Sequence, residues 1–269
     1  MDWKNILRGF AMGVADLIPG VSGGTIAVIL GIYDRLIAAI SGFFSREWKR
    51  HALFLIPLGV GMVATILSLS RVIDFLLENY YAPTQFFFLG LIIGIIPMLF
   101  GELHARAGFK SSYWIAIAIG TVLVASMAFI RPAEADIITN LSPATTALLF
   151  FSGWLASMAM LLPGISGSFI LLLIGVYPTA IKALSDLNIP LILIIGAGVG
   201  VGFIVSSKVI RYLLSHKPGI TFAVIIGLVL GSLAVVFPGL PENGMQWGLS
   251  VLTFAAGWII VHLLNKVSA

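Results

Sequence analysis

Two short runs of this chain set helix breakers and hydroxyl side chains inside apolar sequence. Leu17-Ile18-Pro19-Gly20-Val21-Ser22-Gly23 returns as Leu161-Leu162-Pro163-Gly164-Ile165-Ser166-Gly167. The chemistry open to such a run is anion binding. Ser22 and Ser166 stand where they can cap the helix that follows each break. A helix start carries unpaired N–H groups and about half a positive charge, which suits phosphate or carboxylate. Gly20, Gly23 and Gly24, with Gly164 and Gly167 in the second copy, allow a ligand close to the backbone. Thr25 and Ser168 add hydroxyl donors beside the two serines, and Pro19 and Pro163 make the breaks themselves.

Asp16 is the one acid predicted to lie deep in apolar sequence, three residues before Pro19. A carboxylate at a helix centre costs about 2.5–3.5 kcal/mol on insertion scales, so it is a candidate proton carrier or ligand contact. Its counterpart in the second copy is Met160. The bland alternative is a shallow position neutralised by Arg8 or Arg35. Arg35, Arg71, Lys208 and Arg211 lie close to the ends of apolar segments, where each can hold a phosphate in passing or simply snorkel to the interface. Tyr33 and Tyr177 serve equally well as interfacial anchors or as ligands. Scattered glycines (Gly59, Gly61, Gly196, Gly198, Gly200 and Gly202) read as helix-packing positions. His51, His104, His216 and His262 show no metal-ligand spacing, cysteine is absent, and neither a metal nor a cofactor is expected.

The elements that must position these residues are membrane helices. Hydrophobic residues make up 59% of the chain and charged ones 10%, against about 25% charge in ordinary globular domains. Apolar segments fall at roughly 5–18, 20–40, 52–70, 84–101, 113–130, 144–162, 166–184, 189–206, 219–237 and 247–264, and a span needs about 20 residues. The first two flank the first Pro-Gly break and make a helical hairpin; the sixth and seventh do the same around the second. No cleavage site follows Lys4 and Arg8, so the N-terminal segment reads as retained.

A shift of 144 aligns Gly9, Ala15, Leu17, Pro19, Gly20, Ser22, Gly23, Ile26, Gly31 and Tyr33 with identical residues between Gly153 and Tyr177. Further on the shift is 137, pairing Val72, Ile73, Thr84, Gly90 and Gly94 with Val209, Ile210, Thr221, Gly227 and Gly231. The expected fold is therefore all-α: a single polytopic membrane domain over 1–269, with repeat one at 1–131 and repeat two at 144–269. Each repeat is a re-entrant broken-helix hairpin followed by three spans. Each crosses a net odd number of times, so the second is inverted. With the N-terminus inside, the inner segments hold twelve Lys and Arg residues and the outer ones only Arg71, Arg131 and Lys182, as short cytoplasmic loops require. Both termini are then cytoplasmic, and the two tips meet near the midplane. Paired interruptions of this kind point to a transporter binding site.

The stretch from Gly9 to Tyr33, with Ala15-Asp16-Leu17-Ile18-Pro19-Gly20-Val21-Ser22-Gly23-Gly24-Thr25, resembles the signature of the PopT-type polyprenyl-phosphate transporters. Leu162 through Ser168 and Gly175-Val176-Tyr177 resemble that family's second motif. The resemblance implies a multi-pass protein of the prokaryotic plasma membrane that returns undecaprenyl phosphate from the outer to the inner leaflet, for reuse in building the cell envelope. It supplies no residue-by-residue ligand contacts. Ion coupling to protons or sodium fits an anion moved inward against the potential. One rival is a BacA-type undecaprenyl pyrophosphate phosphatase, whose tip serine precedes an arginine and whose facing helix carries glutamates. Here Gly23 and Gly167 follow the serines and no second carboxylate joins Asp16, so a transporter rather than an enzyme is expected. A small-anion carrier or channel is the other rival, and the oligomeric state stays open.

Overall fold

The computed structural model describes residues 3–18, 20–130, 137–138 and 140–268. Among them every regular element is a helix: α1 (Lys4–Asp16), α2 (Gly23–Ile29), α3 (Tyr33–Ser41), α4 (Trp48–Asn79), α5 (Tyr81–Ala107), α6 (Tyr113–Met127), α7 (Pro143–Leu161), α8 (Gly167–Ile174), α9 (Tyr177–Ser185), α10 (Ile189–His216), α11 (Pro218–Val236) and α12 (Gly244–Ser268). Six of these (α4, α5, α7, α10, α11 and α12) are long and apolar enough to cross a membrane. The chain is a polytopic membrane protein.

Local sequence sets several boundaries. Ser142 accepts the N–H of Thr145 while the Thr145 hydroxyl accepts the N–H of Ser142, a reciprocal cap that opens α7 with Pro143 in its first turn. Asn188 caps α10 through the N–H of Leu191 at 3.3 Å. α4 continues past its apolar stretch through Arg71, Asp74 and Glu78, all exposed. The segments expected as single helices at 20–40 and 166–184 are each broken in two. Gly31 (φ 65°) separates α2 from α3, Gly175 (φ 82°) separates α8 from α9, and α8 and α9 diverge by 110°. Hydropathy runs unbroken through both bends, because apolar side chains do not report a left-handed backbone.

The helices fall into two sets of six that correspond in order. α2 and α8 start at Gly23 and Gly167, and α3 and α9 at Tyr33 and Tyr177, the same 144 positions apart. Packing follows the same rule. α1 lies on α4 as α7 lies on α10, and α5 lies on α12 as α11 lies on α6. Each pair runs parallel. Gly9 meets Leu58 and Gly13 meets Met62, while Gly90 meets Phe254 and Gly94 meets Val261. Approach is so close that a methyl at Gly61 would overlap the carbonyl of Ile6, and one at Gly198 that of Phe150. Gly61, Gly198 and Gly202 are thus packing residues as expected, whereas no neighbour approaches Gly59, Gly196 or Gly200 in this way.

One relation breaks the correspondence. All seven residues of α2 are buried, but of the eight in α8 only Gly167 is. Likewise α3 packs on α10, while α9 makes no comparable contact with α4. The first hairpin is sealed into the bundle and the second stands partly open.

Candidate functional site

The two hairpin tips meet. Thr25 Oγ1 accepts the backbone N–H of Gly164 at 2.9 Å, and the Ser22 hydroxyl donates to the Leu162 carbonyl at 3.4 Å. Tyr33, buried to 5% exposure, donates its hydroxyl to the Leu161 carbonyl at 3.0 Å. These bonds satisfy carbonyls and an N–H that a Pro-Gly break takes out of helical pairing. Gly20 (φ 84°) and Gly164 (φ 89°) take the same left-handed backbone at the two breaks. Pro19 lies outside the described residues; Pro163 is buried at the second turn.

The helix starts behind the tips differ. At the first, Asp16 Oδ1 accepts the N–H of Gly23 at 2.7 Å, and Ser22 Oγ accepts that of Gly24 at 3.1 Å. Thr25 N–H is bonded to the Ser22 carbonyl at 2.9 Å. The positive end of α2 is therefore already filled, by the chain's own carboxylate. At the second, Ser166 makes no capping bond; its hydroxyl pairs with that of Ser168 at 2.8 Å. Met160 stands where Asp16 stands in the first half, and a methyl at Gly167 would press into its side chain at 2.5 Å. Ser166 and Gly167 are buried and Ser168 is exposed, so the start of α8 has no side-chain cap and reaches accessible space through the Ser168 hydroxyl.

A cavity of about 220 Å³ adjoins the first tip, walled by Asp16, Gly23, Gly24, Gly59, Met160 and apolar side chains of neighbouring helices. Among the described residues lining it, Asp16 is the one charged side chain. The structure thus brings together Asp16, Gly20, Ser22, Gly23, Gly24, Thr25, Pro163, Gly164, Ser166, Gly167 and Ser168. It places the four basic candidates elsewhere. Arg35, in the first turn of α3, and Arg211 line a separate cavity that holds none of the tip residues, and Arg211 donates to Ser41 Oγ at the end of α3 at 3.2 Å. Arg71 and Lys208 are exposed on α4 and α10, with no ion pair to the tips among the described residues.

Sequence reasoning left two roles unread. Tyr33 is a clamp between the hairpins; its register match to Tyr177 was visible, but not its partner. The Asp16 cap depends on Gly23 being brought back to the end of α1, which spacing alone does not fix.

Against known proteins, residues 12–248 match the model of a family described as undecaprenyl phosphate translocase-like. A polyprenyl-phosphate transporter of Staphylococcus aureus is 44% identical over 99% of this chain and 97% of its own length. A second protein of that name from Vibrio cholerae serotype O1 is 35% identical over 86% of this chain and 76% of its own. No solved structure gives a significant match.

Proposed function

The chain belongs to the undecaprenyl phosphate translocase-like family, and from that premise we propose that it carries a polyprenyl-phosphate lipid across the membrane. The observation that carries this reading is the junction of the two tips through Thr25 and Gly164. A prenyl tail is content in lipid, and only the phosphate needs a polar path. Broken helices whose starts adjoin at one level supply it.

The halves are inverted relative to one another. α1 and α4 run parallel away from the end that carries α3, since Arg106 at the end of α5 pairs with Asp34 of α3 at 2.6 Å and Arg211 near the end of α10 bonds Ser41. Following the chain from there brings α7 in from the opposite end. The end with Arg35, Arg46, Lys49, Arg50, Arg106, Lys110 and Arg211 faces the cytoplasm, with both termini on that side. Transport runs from the outer to the inner leaflet.

The headgroup first meets the start of α8 at the exposed Ser168, with Ser166 and Gly167 buried behind it. It then reaches α2 by displacing Asp16, which holds the anion position when no substrate is bound. Moving an anion inward opposes the potential by about 2.3 kcal/mol per charge per 100 mV, and a phosphomonoester carries between one and two charges. Proton uptake by Asp16 as it leaves Gly23 would offset part of that. The test is leaflet exchange of labelled undecaprenyl phosphate in liposomes, with and without a pH gradient. A Ser22→Ala/Ser166→Ala variant that still folds should exchange no faster than empty liposomes; wild-type exchange in that variant removes the tips from the mechanism.

A further inference from the structure

Beneath the seam of α3 and α10 lies a second cavity of about 230 Å³, walled by Arg35, Glu47, Arg50, His51, Phe54 and Arg211. Three guanidinium groups face one carboxylate there. Glu47 is paired at 3.6 Å with Arg50, both largely exposed, an arrangement worth little in water. Arg35 and Arg211 form no ion pair among the described residues. The Arg35 guanidinium lies 4.9 Å from the centre of the Phe54 ring, and Arg211 is steadied by Ser41. His51 is wedged against Gly42, where a side chain would collide with its ring. The nearby Asp34 is occupied by Arg106.

We propose that this cavity is a binding site for a phosphate-bearing headgroup, held by Arg35 and Arg211 with Arg50 and His51 at its rim. Two guanidinium forks that no carboxylate pairs among the described residues, Glu47 being paired with Arg50, suit a phosphomonoester, which offers three acceptor oxygens. The internal correspondence sharpens the point. With the shifts of 144 and 137, Arg35, Arg50, His51 and Arg211 map onto Thr179, Leu187, Asn188 and Asp74. None of these four counterparts is a cation, and one of them is an acid. A scaffold built twice carries its anion site once, at the end where the lipid is delivered, and a site of this kind retains the headgroup after passage and disfavours its return. The assignment to the transported lipid rests on the function proposed above; the affinity for phosphate does not.

The experiment uses the full chain in phosphatidylcholine nanodiscs with Ser22→Ala/Ser166→Ala in the background, so that the tips do not contribute. Radiolabelled undecaprenyl phosphate is the probe, with inorganic phosphate and phosphatidylglycerol as competitors. Arg35→Gln/Arg211→Gln should weaken binding roughly tenfold or more, whereas Arg35→Lys/Arg211→Lys, which keeps the charge, should retain part of it. Both arginines are exposed, and retained helicity and elution volume confirm that the variants fold. Competition by inorganic phosphate assigns the site to the phosphate group itself; its absence, with undecaprenyl phosphate still bound, assigns it to the lipid form. Equal affinity in the Arg→Gln variant, or displacement of the probe by phosphatidylglycerol at equal concentration, overturns the proposal. Failure of leaflet exchange by the wild-type protein would instead strike the transport reading and leave this site standing.

Discussion

Thr25 Oγ1 accepts the N–H of Gly164 across 139 positions of sequence, so one hydroxyl ties the first hairpin to the second at the turn where each would otherwise leave its backbone unpaired. Both groups are buried. Thr25→Val keeps the shape and removes the acceptor, leaving an orphaned amide that costs about 1–3 kcal/mol. Thermal unfolding in detergent should fall accordingly and leaflet exchange should drop with it. Thr25→Ser, which restores the oxygen, should recover both.

Asp16 binds the Gly23 amide through one carboxylate oxygen, a role an amide oxygen can also fill. Asp16→Asn is therefore expected to fold with near-native stability and to lose the acceleration of exchange by a pH gradient. Exchange that still responds to the gradient as the wild type does would take proton coupling away from this residue.

The contact of α3 with α10 has no equal between α9 and α4. If the two halves trade conformations during transport, the seam closed here must open and its counterpart must close. Ser41 and Arg211 map onto Ser185 and Asp74. The chain has no cysteine of its own, so pairs can be introduced cleanly. A short bismaleimide should join Ser41→Cys to Arg211→Cys in resting protein and stop exchange. Ser185→Cys and Asp74→Cys should be joined only while substrate is being moved. Joining at equal rates with and without substrate would argue against reciprocal closure.

Gly61 and Gly198 occupy matching places in two parallel helix contacts. Leucine at either site forces the helices apart, and overpacking of this kind costs about 1–3 kcal/mol. Circular-dichroism melting should show comparable losses at the two positions, while leucine at Gly196, which meets no neighbour, should change little.

Much of this was legible in the sequence for definite reasons. Pro19-Gly20 and Pro163-Gly164 interrupt apolar runs, and interruption is a signal that hydropathy preserves. Gly, Pro and Tyr repeating in register exposed the duplication, and the helix order repeats in step with it. The bends at Gly31 and Gly175 were hidden, although both residues were in the repeat, because apolar residues continue on either side. The state of each helix start was also out of reach. Ser22 and Ser166 are identical in type and register, yet one caps its helix and the other pairs with Ser168. The second tip carries Ser168 where the first has Gly24, and Met160 where the first has Asp16, and which of these side chains reaches the helix start is a matter of three-dimensional path.

The exchange of partners between halves bears on how the protein is made. α5 rests on α12 and α6 on α11, so helices from the first half of the chain wait for mates that leave the ribosome much later. Until the last helix emerges, the glycine-lined face of α5 around Gly90 has only lipid against it. Shortening the C-terminus would therefore unseat a helix near the middle of the chain, and two separately expressed halves would each be incomplete until they intertwined.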